Sequence, residues 1–224
     1  MLRKARHYKL AIAYDLLLTF GVPLNIVALF LSSSAYGALS AKQAGSVYLI
    51  LIYLYWAVVI ILGVMNIVIS FRKYREGDDR YCVNALLILK YGLVIFFIVN
   101  YLSGILIFMA ALVGTRGIII FAFPVVFFVI FISMAVTWCI MIPGSFYGIQ
   151  VIRFAVSQGK ITGIAAAVHG ILQFIFLGDV LDTLYLAVSK WGMGKKSSII
   201  VGGLYILAVS AMIATAVYIG TQAA

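Results

Sequence analysis

The segment HGILQFIFLGDVLDTLYLAVSK, residues 169–190, is apolar enough to lie in a membrane, yet it carries His169, Gln173, Asp179, Asp182 and Thr183. Read as one helix turning about 100° per residue, Gln173, Phe176, Val180 and Thr183 fall within about 40° of His169, and Asp179 and Asp182 continue that side. The opposite arc holds no charge. Such a polar side must face a bundle interior or a water-filled cavity, because lipid offers no hydrogen-bond partner. Asp179 and Asp182 are i and i+3, neighbours on one face, roughly 15 and 20 Å along the axis from His169.

Two carboxylates so placed share a proton, bind a cation or pair with a base. Arg116, Lys42 and Lys190 are the candidate bases on that side of the membrane. An ionisable residue in a span costs about 2.5–3.5 kcal/mol on insertion scales, so a pair points first to function. The expected site is therefore a cation- or proton-responsive pair, Asp179 and Asp182, with Gln173, Thr183 and His169 lining the path. Which metal, if any, is left open. Two structural alternatives stand beside it. The aspartates hold helices together by hydrogen bonds and ion pairs, or the helix breaks at Gly178 and Asp179 caps a second half. Elsewhere, Asp15 and Lys90 sit at similar depth in their spans and are expected to form a structural ion pair.

The rest of the chain has to position these groups within a membrane. Of its 224 residues 66% are hydrophobic and 10% charged, and the mean hydropathy is +1.20. A soluble domain is closer to half apolar and a quarter charged. The expected fold is an all-α polytopic membrane helix bundle forming a single domain over residues 1–224, in a bacterial inner membrane. Its net charge of +10 does not indicate nucleic acid. The basic residues cluster in short segments beside apolar runs, as membrane topology requires, and the bilayer itself is the expected partner. Two cysteines without a CxxC spacing and two histidines leave no redox motif, haem pair or zinc cluster. No cofactor is expected.

Runs of about 20 apolar residues place six spans near 11–32, 46–71, 82–113, 118–142, 162–189 and 199–221. The first is read as an uncleaved span rather than a signal peptide, because Asp15, Pro23 and Asn25 interrupt it. Pro143-Gly144 ends span four. A short amphipathic helix over 144–158 then lies in the interface, with Gln150, Arg153 and Ser157 on its polar side. With the N-terminus cytoplasmic, eleven of the 16 Lys and Arg residues fall inside, which favours that orientation. The loop KWGMGKK opposes it, since its three lysines would lie outside. A re-entrant span five would bring them inside and send the C-terminus out. The charged loop RKYREGDDR, residues 72–80, is read as a solvated turn, or alternatively as a docking point for a cytoplasmic partner.

No GxSxG, HExxH or Walker A pattern occurs, and no intramembrane nucleophile has an evident base. The chain is expected not to be an enzyme. DVLD resembles the aspartate pairs that hold magnesium in membrane prenyl and phospholipid transferases, but the second acidic motif those families need is missing. Six spans in about this length resemble the vitamin-binding subunits of energy-coupling transporters, in architecture only, and no site residue carries over. PGSFYG, QFIF and DVLD resemble an uncharacterised family of small bacterial membrane proteins, which implies no activity. The leading functional expectation is transport or membrane-embedded binding of a small solute or cation. The alternatives are a non-transporting accessory or immunity subunit and, behind it, an enzyme acting on lipid phosphates.

Overall fold

In the computed structural model, residues 8–34, 41–114, 123–176 and 178–223 are described. They form helices and turns, with no strand among them. Four long helices come first: α1 (Lys9–Ser34), α2 (Ala41–Arg75), α3 (Asp79–Gly114) and α4 (Phe123–Ser157). Two short ones follow, α5 (Gly163–Leu172) and α6 (Gly178–Tyr185). A π-helical turn, Leu186–Lys190, extends α6, and α7 runs Lys195–Ala223.

Three apolar stretches are long enough to cross a membrane among the described residues: Gly45–Arg75, Asp79–Asn100 and Phe131–Ser157. Their burial differs in an informative way. In α2 the most apolar window is only 11% buried, and Tyr53, Leu54 and Ile60 are each more than 60% exposed. An apolar face of that size is not stable in water, so the chain is a membrane protein. In α3 the corresponding window is 56% buried. That helix is the axis of the fold, touching α1, α2, α4, α6 and α7. Leu86, Leu89 and Leu93 of α3 are packed out of contact with solvent, together with Leu18 of α1 and Met141, Tyr147 and Val151 of α4.

Two boundaries differ from expectation. The separate interfacial helix over 144–158 does not exist as such, because α4 runs unbroken through Pro143 to Ser157. A proline inside a helix removes one backbone donor and crowds the preceding turn. Here a carbonyl of that turn finds a side-chain donor: Tyr14 Oη donates to the Ile140 carbonyl at 3.0 Å. The expected single span over 162–189 is also not one helix. It folds into α5, a turn and α6, described below.

The ends of the elements gather on one side of the bundle. Gly77, at φ +73, reverses the chain between α2 and α3, and Gly159, at φ +67, closes the end of α4. Tyr8 at the start of α1 stacks on Tyr81, ring centroids 5.0 Å apart, and accepts a hydrogen bond from Asn84 Nδ2 at 3.1 Å. Gln158 Nε2 donates to Asp79 Oδ2 at 3.0 Å. Lys160 Nζ lies 3.4 Å from the centroid of the Trp191 ring. The loop that starts KWGMGKK therefore sits at the same end as the 76–80 turn. Arg3, Lys4, Arg6 and Arg116 lie outside the described residues, and so does the side chain of Lys42.

Candidate functional site

The polar residues of 169–190 do meet, but not as a stripe on one helix. Thr162 caps α5, its hydroxyl accepting from the Ala165 N–H at 3.4 Å. At the far end the helix tightens: the N–H groups of Phe174 and Ile175 donate to the carbonyls of Ile171 and Leu172. The chain then reverses. His169 Nδ1 contacts Asp182 Oδ1, and Gln173 Nε2 donates to Asp182 Oδ2 at 2.6 Å. Residues 13 apart on a straight helix would lie about 20 Å apart, so α5 and α6 form a hairpin. The axial separations expected for His169, Asp179 and Asp182 are thereby overturned.

Hydrogen-bond accounting explains why the break is tolerated. Non-helical backbone at membrane depth must find protein partners. The Gln173 carbonyl lies 2.5 Å from Ser145 Oγ and 3.4 Å from Lys90 Nζ. The Phe174 carbonyl accepts from Trp138 Nε1 at 3.1 Å. Donors on α3 and α4 thus take up the acceptors that the broken helix releases.

Lys90 is the centre of the network and the residue whose expected role is most changed. Its ammonium is fully buried and lies 2.8 Å from Asp179 Oδ2 and 3.1 Å from Ser145 Oγ. The expected Asp15–Lys90 pair does not form. Lys90 is drawn to α6, while the Asp15 carboxyl sits against Gly92, where a Cβ would fall 2.2 Å from Oδ2. Asp15 Oδ1 has no hydrogen-bond partner among the described residues. The base expected from Arg116, Lys42 or Lys190 is also supplied by Lys90.

Asp179 and Asp182 do not act as a mutual pair. The first is engaged by Lys90, the second by His169 and Gln173. His169 stacks on Tyr185 at 5.5 Å between centroids. Thr183 is buried in the same helix, and its hydroxyl, like Gln173 Oε1, has no partner among the described residues. Glycines shape the wall: a Cβ at Gly148 would lie 2.2 Å from Gln173 Oε1, and one at Gly144 would lie 3.1 Å from Lys90 Cε. Among the described residues no group of three or more His, Cys, Asp or Glu is placed to hold a metal ion. Sequence reasoning missed Ser145, Trp138 and the two α4 glycines. The PG at 143–144 reads as a helix end, and nothing in the local pattern ties it to a turn about 30 residues later.

Fold and site together define an all-helical membrane protein with a buried charge network around a broken helix. The chain belongs to DUF6652, a family of unknown function, whose family model matches residues 13–192. No curated protein and no solved structure matches it.

Proposed function

We propose that this protein is a membrane-embedded binding or transport protein for a small solute or ion, and that its site is the polar hairpin of α5 and α6. The observation that carries this reading is the broken helix itself. Its two short pieces face each other through His169, Gln173 and Asp182, and it exposes the Gln173 carbonyl to Lys90 and Ser145. Discontinuous helices at membrane depth are the way many transporters bring backbone and side-chain polar groups to a substrate. Two buried acceptors, Gln173 Oε1 and Thr183 Oγ1, have coordination capacity left over.

The topology that goes with it has five crossings, α1 to α4 and α7, with the α5–α6 hairpin re-entrant from the cytoplasmic side. Lys160, Lys190, Lys195 and Lys196 then join Arg72, Arg75 and Arg80 inside. Only Lys42 and Arg116 fall in or beside the connections at the opposite ends in the sequence. The N-terminus is cytoplasmic and the C-terminus is outside. In a cysteine-free background, Lys160→Cys and Lys196→Cys should label from the same side of the membrane, and a cysteine placed at Ala224 from the other.

The functional test is thermal stability of the purified protein across pH and against a panel of cations, for wild type and for Asp182→Asn. A ligand bound only by the folded state raises stability with its occupancy. A response in wild type that Asp182→Asn loses supports the site and justifies flux measurements in proteoliposomes. Identical responses remove the reading. The alternative, a non-transporting accessory or immunity subunit, draws on the pairing of both aspartates with protein groups. A partner that co-purifies stoichiometrically would favour it.

A further inference from the structure

At the end of the bundle where the short connections gather lies a polar pocket of about 590 Å³. It is separate from the α5–α6 hairpin site. Its walls come from four places in the chain: Tyr8, the 78–84 segment, Lys160 and the Trp191–Met193 loop. Its charges are unequally satisfied. The chain has six acidic residues, all of them described. Glu76 is engaged by Arg72 and Lys73, Asp179 by Lys90 and Asp182 by His169. Asp15 is buried against Gly92.

The two acids in the pocket wall each accept a hydrogen bond, and Lys73 is the one cation within ion-pair distance of either of them among the described residues. Asp78 Oδ1 accepts the Tyr81 N–H at 3.0 Å, and its other oxygen lies 4.0 Å from Lys73 Nζ. Asp79 Oδ2 accepts from Gln158. The pocket's cations are left over. Neither Arg80 nor Lys160 has a carboxylate within ion-pair distance among the described residues. Lys160 instead stacks its ammonium on Trp191, whose own Nε1–H is buried without an acceptor among the described residues. Two cations without a carboxylate partner and an indole N–H without an acceptor among the described residues, in one concave pocket, suit an anion with several oxygens, although Asp78 and Asp79 in the same wall offset part of their field.

We propose that this pocket binds a phosphate group, carried by the headgroup of a membrane lipid, through Arg80, Lys160 and Trp191 Nε1. Arg80 offers the guanidinium fork suited to phosphate oxygens and Lys160 a point charge. The pocket lies at the ends of helices that cross the membrane, which is the level of lipid phosphates, and basic pockets at that level hold anionic headgroups. The same phosphate chemistry could come from a soluble phosphate ester, and the test separates the two sources.

The full chain in detergent is titrated with phosphatidylglycerol, with diacylglycerol of the same acyl chains and with glycerol 1-phosphate, and binding is read by native mass spectrometry and by thermal shift. Saturable binding of phosphatidylglycerol but not diacylglycerol is expected. Arg80→Gln and Lys160→Gln should each weaken it by roughly tenfold or more, since each removes a charge-assisted hydrogen bond. Trp191→Phe keeps a ring beneath Lys160 and removes the N–H, so it should weaken binding without loss of fold, and Lys160→Arg should restore most of the affinity. Glycerol 1-phosphate binding as tightly as the lipid would keep the phosphate site and assign it to a soluble ester. Equal binding of diacylglycerol and phosphatidylglycerol, or unchanged affinity in both glutamine variants, would overturn the proposal.

Discussion

Replacing Lys90 should damage this protein more than replacing its partner, and replacing both should repair most of the damage. The ammonium is 0% exposed and Asp179 2%. Its three protons have three acceptors, at 2.8 Å on Asp179, 3.1 Å on Ser145 and 3.4 Å on the Gln173 carbonyl. Lys90→Met keeps the length and bulk of the stem but strands a carboxylate with no counter-ion, a change that costs about 3–5 kcal/mol for a buried pair. It also withdraws a donor from the hairpin turn, a further cost of about 1 kcal/mol or more. Asp179→Asn strands the ammonium in its turn, but it leaves an acceptor facing Lys90 and keeps the turn's donors, so it should cost less. In the double variant Lys90→Met/Asp179→Leu no charge is stranded, and its loss should fall well short of the sum of the single variants. Reversible unfolding of the purified protein in mixed detergent micelles, run as a double-mutant cycle, gives the coupling. A Lys90→Met variant within about 1 kcal/mol of wild type would refute the network, as would strict additivity.

Gly148→Ala should push the Gln173 amide off Asp182, because the new Cβ would lie 2.2 Å from Oε1 and 2.9 Å from Cγ; the expected loss of about 1–3 kcal/mol should largely disappear in a Gln173→Ala background when melting temperatures are compared. Gly92→Ala should behave the same way against Asp15, whose own Cβ would be 2.8 Å away; Asp15→Ala removes the carboxyl but keeps that Cβ, so it should rescue only in part. At the 76–80 turn, hydrogen bonds from Lys73 and then Arg72 hold the Glu76 carboxyl below its usual range. A depressed folded-state value adds stability that is present above the unfolded pKa and fades as pH falls through the lower folded value. Glu76→Gln should therefore lower the melting temperature at pH 7 and make little difference in strong acid; equal effects at both would sink that account.

Much of the membrane character was legible, because hydropathy and basic clustering act through bulk transfer energies that do not depend on tertiary contacts. Long helices are present at all four predicted spans before residue 143, and at the last. The polar residues that meet around the hairpin were also legible, since charge inside an apolar run is conspicuous wherever the run folds. Their partners were not. The pairing of Lys90 with Asp15 rested on equal depth in adjacent spans, but depth does not select among helices, and α6 approaches α3 from another side. The continuous fifth span failed for a related reason. Apolar composition over 162–189 is compatible with one long helix or with a hairpin, and the hairpin gains Ser145, Lys90 and Trp138 as donors that lie elsewhere in the sequence. Pro143 reads locally as a helix end, yet Tyr14 satisfies a carbonyl beside it and α4 continues.

The same pairing logic separates the two polar regions of this molecule. Around the hairpin most charge has a protein partner: Lys90 takes Asp179, and His169 and Gln173 take Asp182. A solute or ion entering there must compete with contacts already made, so binding and hairpin movement would be coupled, with a strength set by the energy of the displaced pair. In the pocket beside Trp191 neither Arg80 nor Lys160 has a carboxylate partner to give up among the described residues, so a ligand there displaces no ion pair. A stability response that depends on Asp182 and alters protease access to the 173–176 turn would belong to the first region. A response that depends on Arg80 and Lys160 and leaves the turn unchanged would belong to the second.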